Sequence, residues 1–239
     1  MKNLKYFTTI ILLIGIAACT NAQIRRTVYG NNHVVKQQRQ AGRFDGLRVS
    51  SGIDVYLRQT GNESISVETD ENLQEYIRTE IKDGILNVYT DANIRKAEMK
   101  NVYVTMKDIS SLKTSSAGDI IGETPVKTGN LKLSASSAGD IKIEVNADKI
   151  DADISSSGDI TLSGKTDVLD VSLSSAGDLN AYELEVREAN VSASSAGDAD
   201  VNVSERLTAR ASSAGDINYR GNPKYIDAHS SSAGGVHRK

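Results

Sequence analysis

The stretch SSAGDI occupies residues 115–120 and returns as SSAGDI at 136–141, SSSGDI at 155–160, SSAGDL at 174–179, SSAGDA at 194–199, SSAGDI at 212–217 and SSAGGV at 231–236. Its glycines, Gly118, Gly139, Gly158, Gly177, Gly197, Gly215 and Gly234, are separated by 21, 19, 19, 20, 18 and 19 residues. A period near 19 that tolerates slips of one or two residues predicts stacked β units with small insertions at their corners.

The phase within each repeat is as informative as the period. Stepping back by two from Gly158 meets Ser156, Ile154, Ala152 and Ile150, and stepping forward meets Ile160. Gly177 gives Ser175, Leu173, Val171, Leu169 and then Leu179. Alternation of period two is strand, not helix. One such unit cannot bury its apolar face alone, but stacking equivalent units makes a continuous interior. The expected fold is all-β: a parallel β-helix or β-solenoid of about seven regular coils, each of roughly 19 residues. The general preference for right-handed crossovers favours that hand.

The motif itself reads first as geometry. On strict alternation Ser116, Gly118 and their equivalents point inward. The seven glycines then form a structural corner where the strand bends or takes positive φ. A serine nucleophile needs one distinctive residue with a base and an orienting group. Seven near-identical serine pairs, with His33, His229 and His237 near the chain ends, have no such logic. No catalytic residues are assigned. Asp119, Asp140, Asp159, Asp178, Asp198 and Asp216 follow the glycines and form an outward row, while Gly235 replaces the seventh. Turn capping accounts for them. A cation-binding row is the functional alternative, because Ca²⁺ takes several carboxylate oxygens. The paired glycines and nine-residue period of secreted calcium β-rolls are missing here. No other cofactor is expected.

Residues 44–114 read as a less regular β section. Ile53, Val55 and Leu57 alternate with polar residues, Asp83-Gly84 marks a hairpin, and a short helical turn fits near 71–77. Residues 19–43 are polar and basic and read as a tether, with room for a short strand near Thr27–Val35. Lys2 and Lys5 precede an apolar run from Tyr6 to Ala18, too short to span a membrane and suited to a secretory leader. Ile16-Ala17-Ala18-Cys19 resembles a lipobox, making 1–18 a lipoprotein-type signal and Cys19 the lipid anchor. Cleavage after Ala22 is the alternative. Cys19 is the only cysteine, so no intrachain disulfide forms.

Removing 1–18 shifts the formal charge from −3 to −5, because it takes two lysines and no acids. Such a chain has no general attraction to nucleic acid. After the leader only Phe44 remains of the phenylalanines, and tryptophan is absent, which suits a slender aliphatic core.

The segments FDGLRVSSGIDVYL (44–57) and LQEYIRTEIKDGILNVYT (73–90), with the SSAGD repeats, resemble the auto-transporter adhesin, head GIN domain family. That family comprises exported proteins frequent in Bacteroidetes, and the resemblance spans about 44–236. It implies a β-helical domain distantly similar to pectin lyases without their catalytic residues, and an adhesion role inferred from structural likeness. The expectation is a non-catalytic surface protein of the cell envelope, held at the outer membrane by its N-terminal lipid or else periplasmic or secreted. Glycan or protein surfaces are its expected partners. An uncapped C-terminal end of the solenoid is a template for strand addition, so assembly through that end, including a homo-oligomer, is the alternative role. Polysaccharide processing is the third reading; the corners have no long insertions to build a catalytic groove.

Overall fold

The structure is a computed structural model that describes residues 26–239. The leader and Cys19 lie outside the described residues. The first half contains β1 (Thr27–Tyr29), β2 (Val34–Arg39), β3 (Gly46–Val49), β4 (Asp54–Gln59), β5 (Ser64–Asp70), β6 (Ile77–Lys82), β7 (Ile85–Thr90), β8 (Asn93–Lys96) and β9 (Lys100–Met106), with one 3₁₀ turn at Glu71–Leu73. The second half contains β10 (Ser111–Thr114), β11 (Asp119–Gly122), β12 (Val126–Ser136), β13 (Asp140–Ser155), β14 (Asp159–Leu173), β15 (Asp178–Ala193), β16 (Asp198–Ala211), β17 (Asp216–Gly221), β18 (Tyr225–Ser230) and β19 (Gly235–Arg238).

From β10 onward the chain is a parallel β-solenoid. Successive coils pair in register at their corners, with bulges in the β14–β15 and β15–β16 ladders, so like sits on like along the corner columns. One inward row reads Val55, Ile120, Ile141, Ile160, Leu179, Ala199, Ile217, Val236 from coil to coil. A 16-residue strand such as β13 would span about 53 Å if straight. It instead starts and ends on the same column of corners, so it must bend. The bend shows in its burial: Ile141, Ile143, Val145 and Ala147 are buried, and the next buried positions are Ile150, Ala152 and Ile154. The three-residue step across Asp148-Lys149 breaks the alternation and marks a second corner.

The SSAG corner differs from strict alternation, and the difference is a correction. Gly118, Gly139, Gly158, Gly177, Gly197 and Gly215 are buried as expected, but Ser116 and its equivalents are exposed. The alternation jumps four residues, from Ile154 to Gly158, because a tight turn intervenes. The Gly158 N–H donates to the Ser155 carbonyl at 3.1 Å, and the two residues between have φ of 53° and 56°. A hydrogen-bonded four-residue turn with positive φ at both central positions has the sign pattern of type I′. The left-handed residues are therefore the second serine and the alanine, not the glycine. The glycine serves close approach instead. A Cβ built on Gly158 would lie 2.5 Å from the carbonyl carbon of Ala135 and 2.6 Å from the Ser136 nitrogen, in the coil below.

The first half holds an eighth corner inside the section expected to be irregular. β3 and β4 pair with β10 and β11, setting Val49 against Thr114 and Asp54 against Asp119. Between them Ser51 and Gly52 have φ of 71° and 61°, and the Gly52 N–H donates to the Ser116 carbonyl at 2.9 Å. Ser50-Ser51-Gly52-Ile53-Asp54 is thus a diverged SSAGD. The buried Ile53 stands where the later turns need glycine. It is tolerated because the next layer, β7 and β9, pairs with β3 and β4 but leaves this corner to make β8. Eight corners enclose about seven turns.

The N-terminal end is closed by antiparallel pairing. β5 lies between β2 and β9, and β6–β7 is a hairpin turned by Asp83 and Gly84, both at positive φ. The expected tether is corrected over its described part: β1 pairs with β8 and β2 with β5, so residues 27–39 belong to the cap. Composition misled there because the outward side chains of an edge strand are polar whether or not its backbone is paired. Nearly all buried apolar side chains form one cluster along the solenoid axis, and Val28, Leu73 and Ala92 form a small second one.

Candidate functional site

Three features run along the stacked corners: a column of turn peptides, a row of aspartates and a strip of serines.

The turn peptides align like those of a helix. The N–H of the third turn residue donates to the carbonyl of the second residue one coil further on: Ala117 to Ser137 at 3.0 Å, Ala138 to Ser156 at 3.2 Å, Ser157 to Ser175 at 3.1 Å, and so on to Ala214 and Ser232 at 3.1 Å. Parallel peptide dipoles add, leaving partial negative charge at the carbonyl end and partial positive charge at the N–H end. The carbonyl end is Ser51, and there the Lys100 ammonium donates to it at 3.4 Å. Burial pulls the Lys100 ammonium below the ordinary lysine value, while the neighbouring Asp54 opposes that. A half-buried lysine therefore caps the dipole column, close enough to Asp54 for the two charges to attract.

That row is Asp54, Asp119, Asp140, Asp159, Asp178, Asp198 and Asp216, one per coil. Asp54 is its unforeseen first member. All six aspartates expected in the row are in it, and His237 Nε2 approaches Asp216 at 3.8 Å at the far end. Burial, then the charges of Asp140 and Asp54, hold the Asp119 carboxyl above its ordinary value. Asp159 is raised by burial and then by Asp140, and Asp178 by burial and then by Asp159 and Asp198. Backbone N–H groups offset part of the repulsion, as Asp140 N–H donates to Asp119 Oδ1 at 3.3 Å and Asp216 N–H to Asp198 Oδ1 at 3.2 Å. Among the described residues no three His, Cys, Asp or Glu side chains converge to hold a metal ion. The row offers one carboxylate per coil.

A carboxyl raised on folding favours stability below its unfolded value, about 3.9, and that contribution is lost as pH rises through the folded value. Neighbouring charges about 5 Å apart repel by about 0.8 kcal/mol at the dielectric of water, less with salt. Asp159→Asn removes two such pairs while keeping an acceptor oxygen. It should stabilise the protein by about 1 kcal/mol at pH 7 and by nothing near pH 3.5, read from urea midpoints at the two pH values. A pH-independent difference would show that repulsion is not its source.

The serine strip lies on the other side of the turns. The first serine of each motif is half-buried through six coils, and Ser134, Ser172 and Ser192 face outward two residues earlier. Ser155, Ser174, Ser194 and Ser212 join them in lining a shallow groove of about 570 Å³, with Asp153 and Arg210 in its wall. Of these seven hydroxyls, only Ser194 Oγ, 3.3 Å from the Leu173 carbonyl, has a hydrogen-bond partner among the described residues. The groove thus presents a two-column lattice of hydroxyls repeating at the coil spacing of about 4.8 Å. Its outer column was not singled out from the sequence. The signal is the x-Ser-x-Ser phase in VSLSS and VSASS, where the earlier serine has outward parity.

A second groove, of about 660 Å³, follows the other corner and is lined by Asp148, Lys165, Asp167, Glu185, Arg187 and Glu205 among others. Its four carboxylates outnumber its two cations, and Arg187 is already paired, lying 2.6 Å from Glu188, 3.3 Å from Glu205 and 3.5 Å from Asp167. Beside the arm that leads into it, Arg220 stacks on Tyr182 at 4.0 Å. His33, His229 and His237 lie beside Glu71, Asp227 and Asp216, and no hydrogen bond joins a histidine to a serine hydroxyl among the described residues.

A slender parallel solenoid bearing ordered polar faces defines the class. The chain belongs to the family described as "Putative auto-transporter adhesin, head GIN domain", which matches residues 43–223. Solved structures share the fold at low identity. A "putative adhesin" from Bacteroides fragilis superposes with a TM-score of 0.83 at 18% identity, covering 89% of this chain and 100% of that one. A "putative adhesin" from Parabacteroides distasonis gives 0.71 at 23% identity, covering 89% and 100%. A "Putative lipid binding protein" from Parabacteroides distasonis gives 0.72 at 20%, covering 90% and 100%. No curated protein matches. The chain is thus an adhesin-like surface or exported protein by family. Among the described residues no helix is long and apolar enough to cross a membrane.

Proposed function

We propose that this protein is a non-catalytic envelope lipoprotein that holds an extended glycan along the serine groove. The observation that carries this reading is the lattice of unpartnered hydroxyls from Ser155, Ser172, Ser174, Ser192 and Ser212. Hydroxyls both donate and accept, as sugar hydroxyls do, so a repeating polyol can be matched coil by coil. A rigid backbone bears the lattice, so little ordering entropy is lost on binding. Family membership supports the adhesive role, and the lipobox-like Ile16-Ala17-Ala18-Cys19 supports a lipid anchor.

The test is a glycan array probed with the processed protein, followed by calorimetry on the hits. Ser172→Val with Ser192→Val preserves strand propensity and removes two hydroxyls from the groove. Affinity for a groove-bound glycan should fall at least tenfold. Unchanged affinity, or no glycan bound, overturns the groove assignment. Cleavage of a polyuronide overturns the non-catalytic one. Mass spectrometry of the N-terminus should find an acylated Cys19; a free Gln23 terminus overturns the anchor.

A further inference from the structure

The two ends of the solenoid are unlike. The N-terminal end is covered by β2, β5 and β9, and its dipole column is closed by Lys100. At the C-terminal end β18 pairs with β16 and β19 with β17, and nothing among the described residues pairs with their other edges. The inward rows run out there in the open: Leu207, Ala209 and Ala211 are buried, while their successors Ile226, Ala228 and Ser230 are exposed. Among the described residues, Tyr225 and Ile226, 62% and 49% exposed, are two of the three exposed large apolar side chains.

We propose that a second copy of this chain covers this end, its β18 pairing antiparallel with β18 about a two-fold axis at Ala228. The register follows from parity and charge. Directly opposite residues share a face of the sheet, so inward must meet inward. Centring on Asp227 opposes two aspartates, and centring on His229 opposes two imidazoles. Centring on Ala228 sets Ile226 against the partner's Ser230 and Asp227 against the partner's His229, reciprocally. Arg210, 2.6 Å from Asp227, already holds that carboxylate in place, and His229 Nδ1 lies 3.1 Å from it within one chain. With one open end among the described residues, the contact is isologous, so assembly closes at two copies and does not propagate into a fibre. This inference is independent of the glycan reading.

The test uses the processed chain from residue 20 onward, which keeps every described strand and contains no cysteine. Sedimentation should give a dimer at about 10 µM, a concentration in the range of specific interfaces. Ala228→Cys should then cross-link rapidly on mild oxidation. The opposed Cα atoms would lie about 4.5–5.5 Å apart, within disulfide reach. Ser230→Cys should cross-link at least tenfold more slowly, because the two copies of that residue are about 14 Å apart in this register. Ala228→Asp should give a monomer with unchanged circular dichroism. A monomer at about 100 µM overturns the proposal and leaves the edge to a strand from another protein. Equal cross-linking at 228 and 230 overturns it as well.

Discussion

Gly158→Ala should destabilise this protein by about 2–3 kcal/mol, whereas Ala138→Gly, one turn position earlier in the coil below, should stabilise it by about 0.5–1 kcal/mol. The first effect is steric. The added Cβ would meet backbone atoms at 2.5, 2.6 and 2.7 Å, and backbone in a paired ladder cannot swing aside as a flexible side chain can. Two coils would have to part locally, at the cost of overpacking a tight core. The second effect is conformational. Ala138 has φ of 57°, a region that costs a residue with a Cβ about 1–2 kcal/mol. Glycine removes that strain, less the extra entropy its unfolded chain gains. Gly197→Ala is a graded control: its nearest neighbour would be Leu173 Cβ at 3.1 Å, so its loss should stay under about 1 kcal/mol. Urea midpoints of the three variants check the order. Similar losses at Gly158 and Gly197, or a loss at Ala138, would mean that the corner is not set by coil-to-coil contact.

This pair of residues also marks how far the fold was legible in the sequence. Period and alternation are local, and they are enough to specify coils, inward rows and the outward aspartates. The turn is decided by something non-local. Read alone, SSAG assigns positive φ to its glycine, the residue that adopts it most easily. The demand on Gly158 comes instead from Ala135 and Ser136 in the coil below, and the left-handed conformations fall to Ser156 and Ser157. The same logic hid the first corner. In SSGID the glycine occupies a left-handed position and Ile53 the inward one, because the next layer leaves that site open. The serine groove was half legible: the motif serines stood out by repetition, while the residues two positions earlier vary among Lys, Ser, Asp, Arg and His.

The N-terminal cap was the least legible part, and its organising residue is Asp70. Its side chain is fully buried at the end of β5. Oδ1 accepts the Asn32 N–H at 2.5 Å and Oδ2 accepts the Glu98 N–H at 2.8 Å. Two segments 66 residues apart in the chain are thus tied to one carboxylate. Gly30 lies so close that a Cβ there would meet the Asp70 Cγ at 2.5 Å. Hydrogen bonds to a charged group contribute about 1.5–3 kcal/mol each, and truncation would strand two backbone donors. Asp70→Ala should therefore cost about 3–4 kcal/mol. Asp70→Asn should cost less, because its oxygen can still accept one of the two N–H groups while its NH₂ faces the other. The damage should be confined to the cap, since β1, β2 and β8 join the solenoid only through the first-half strands. Hydrogen exchange should show amides of β1, β2 and β8 losing protection in Asp70→Ala while those of β13 to β16 keep theirs. Uniform loss along the whole chain would show instead that the cap and the solenoid unfold as one unit, and that the closed end is what holds the stacked coils together.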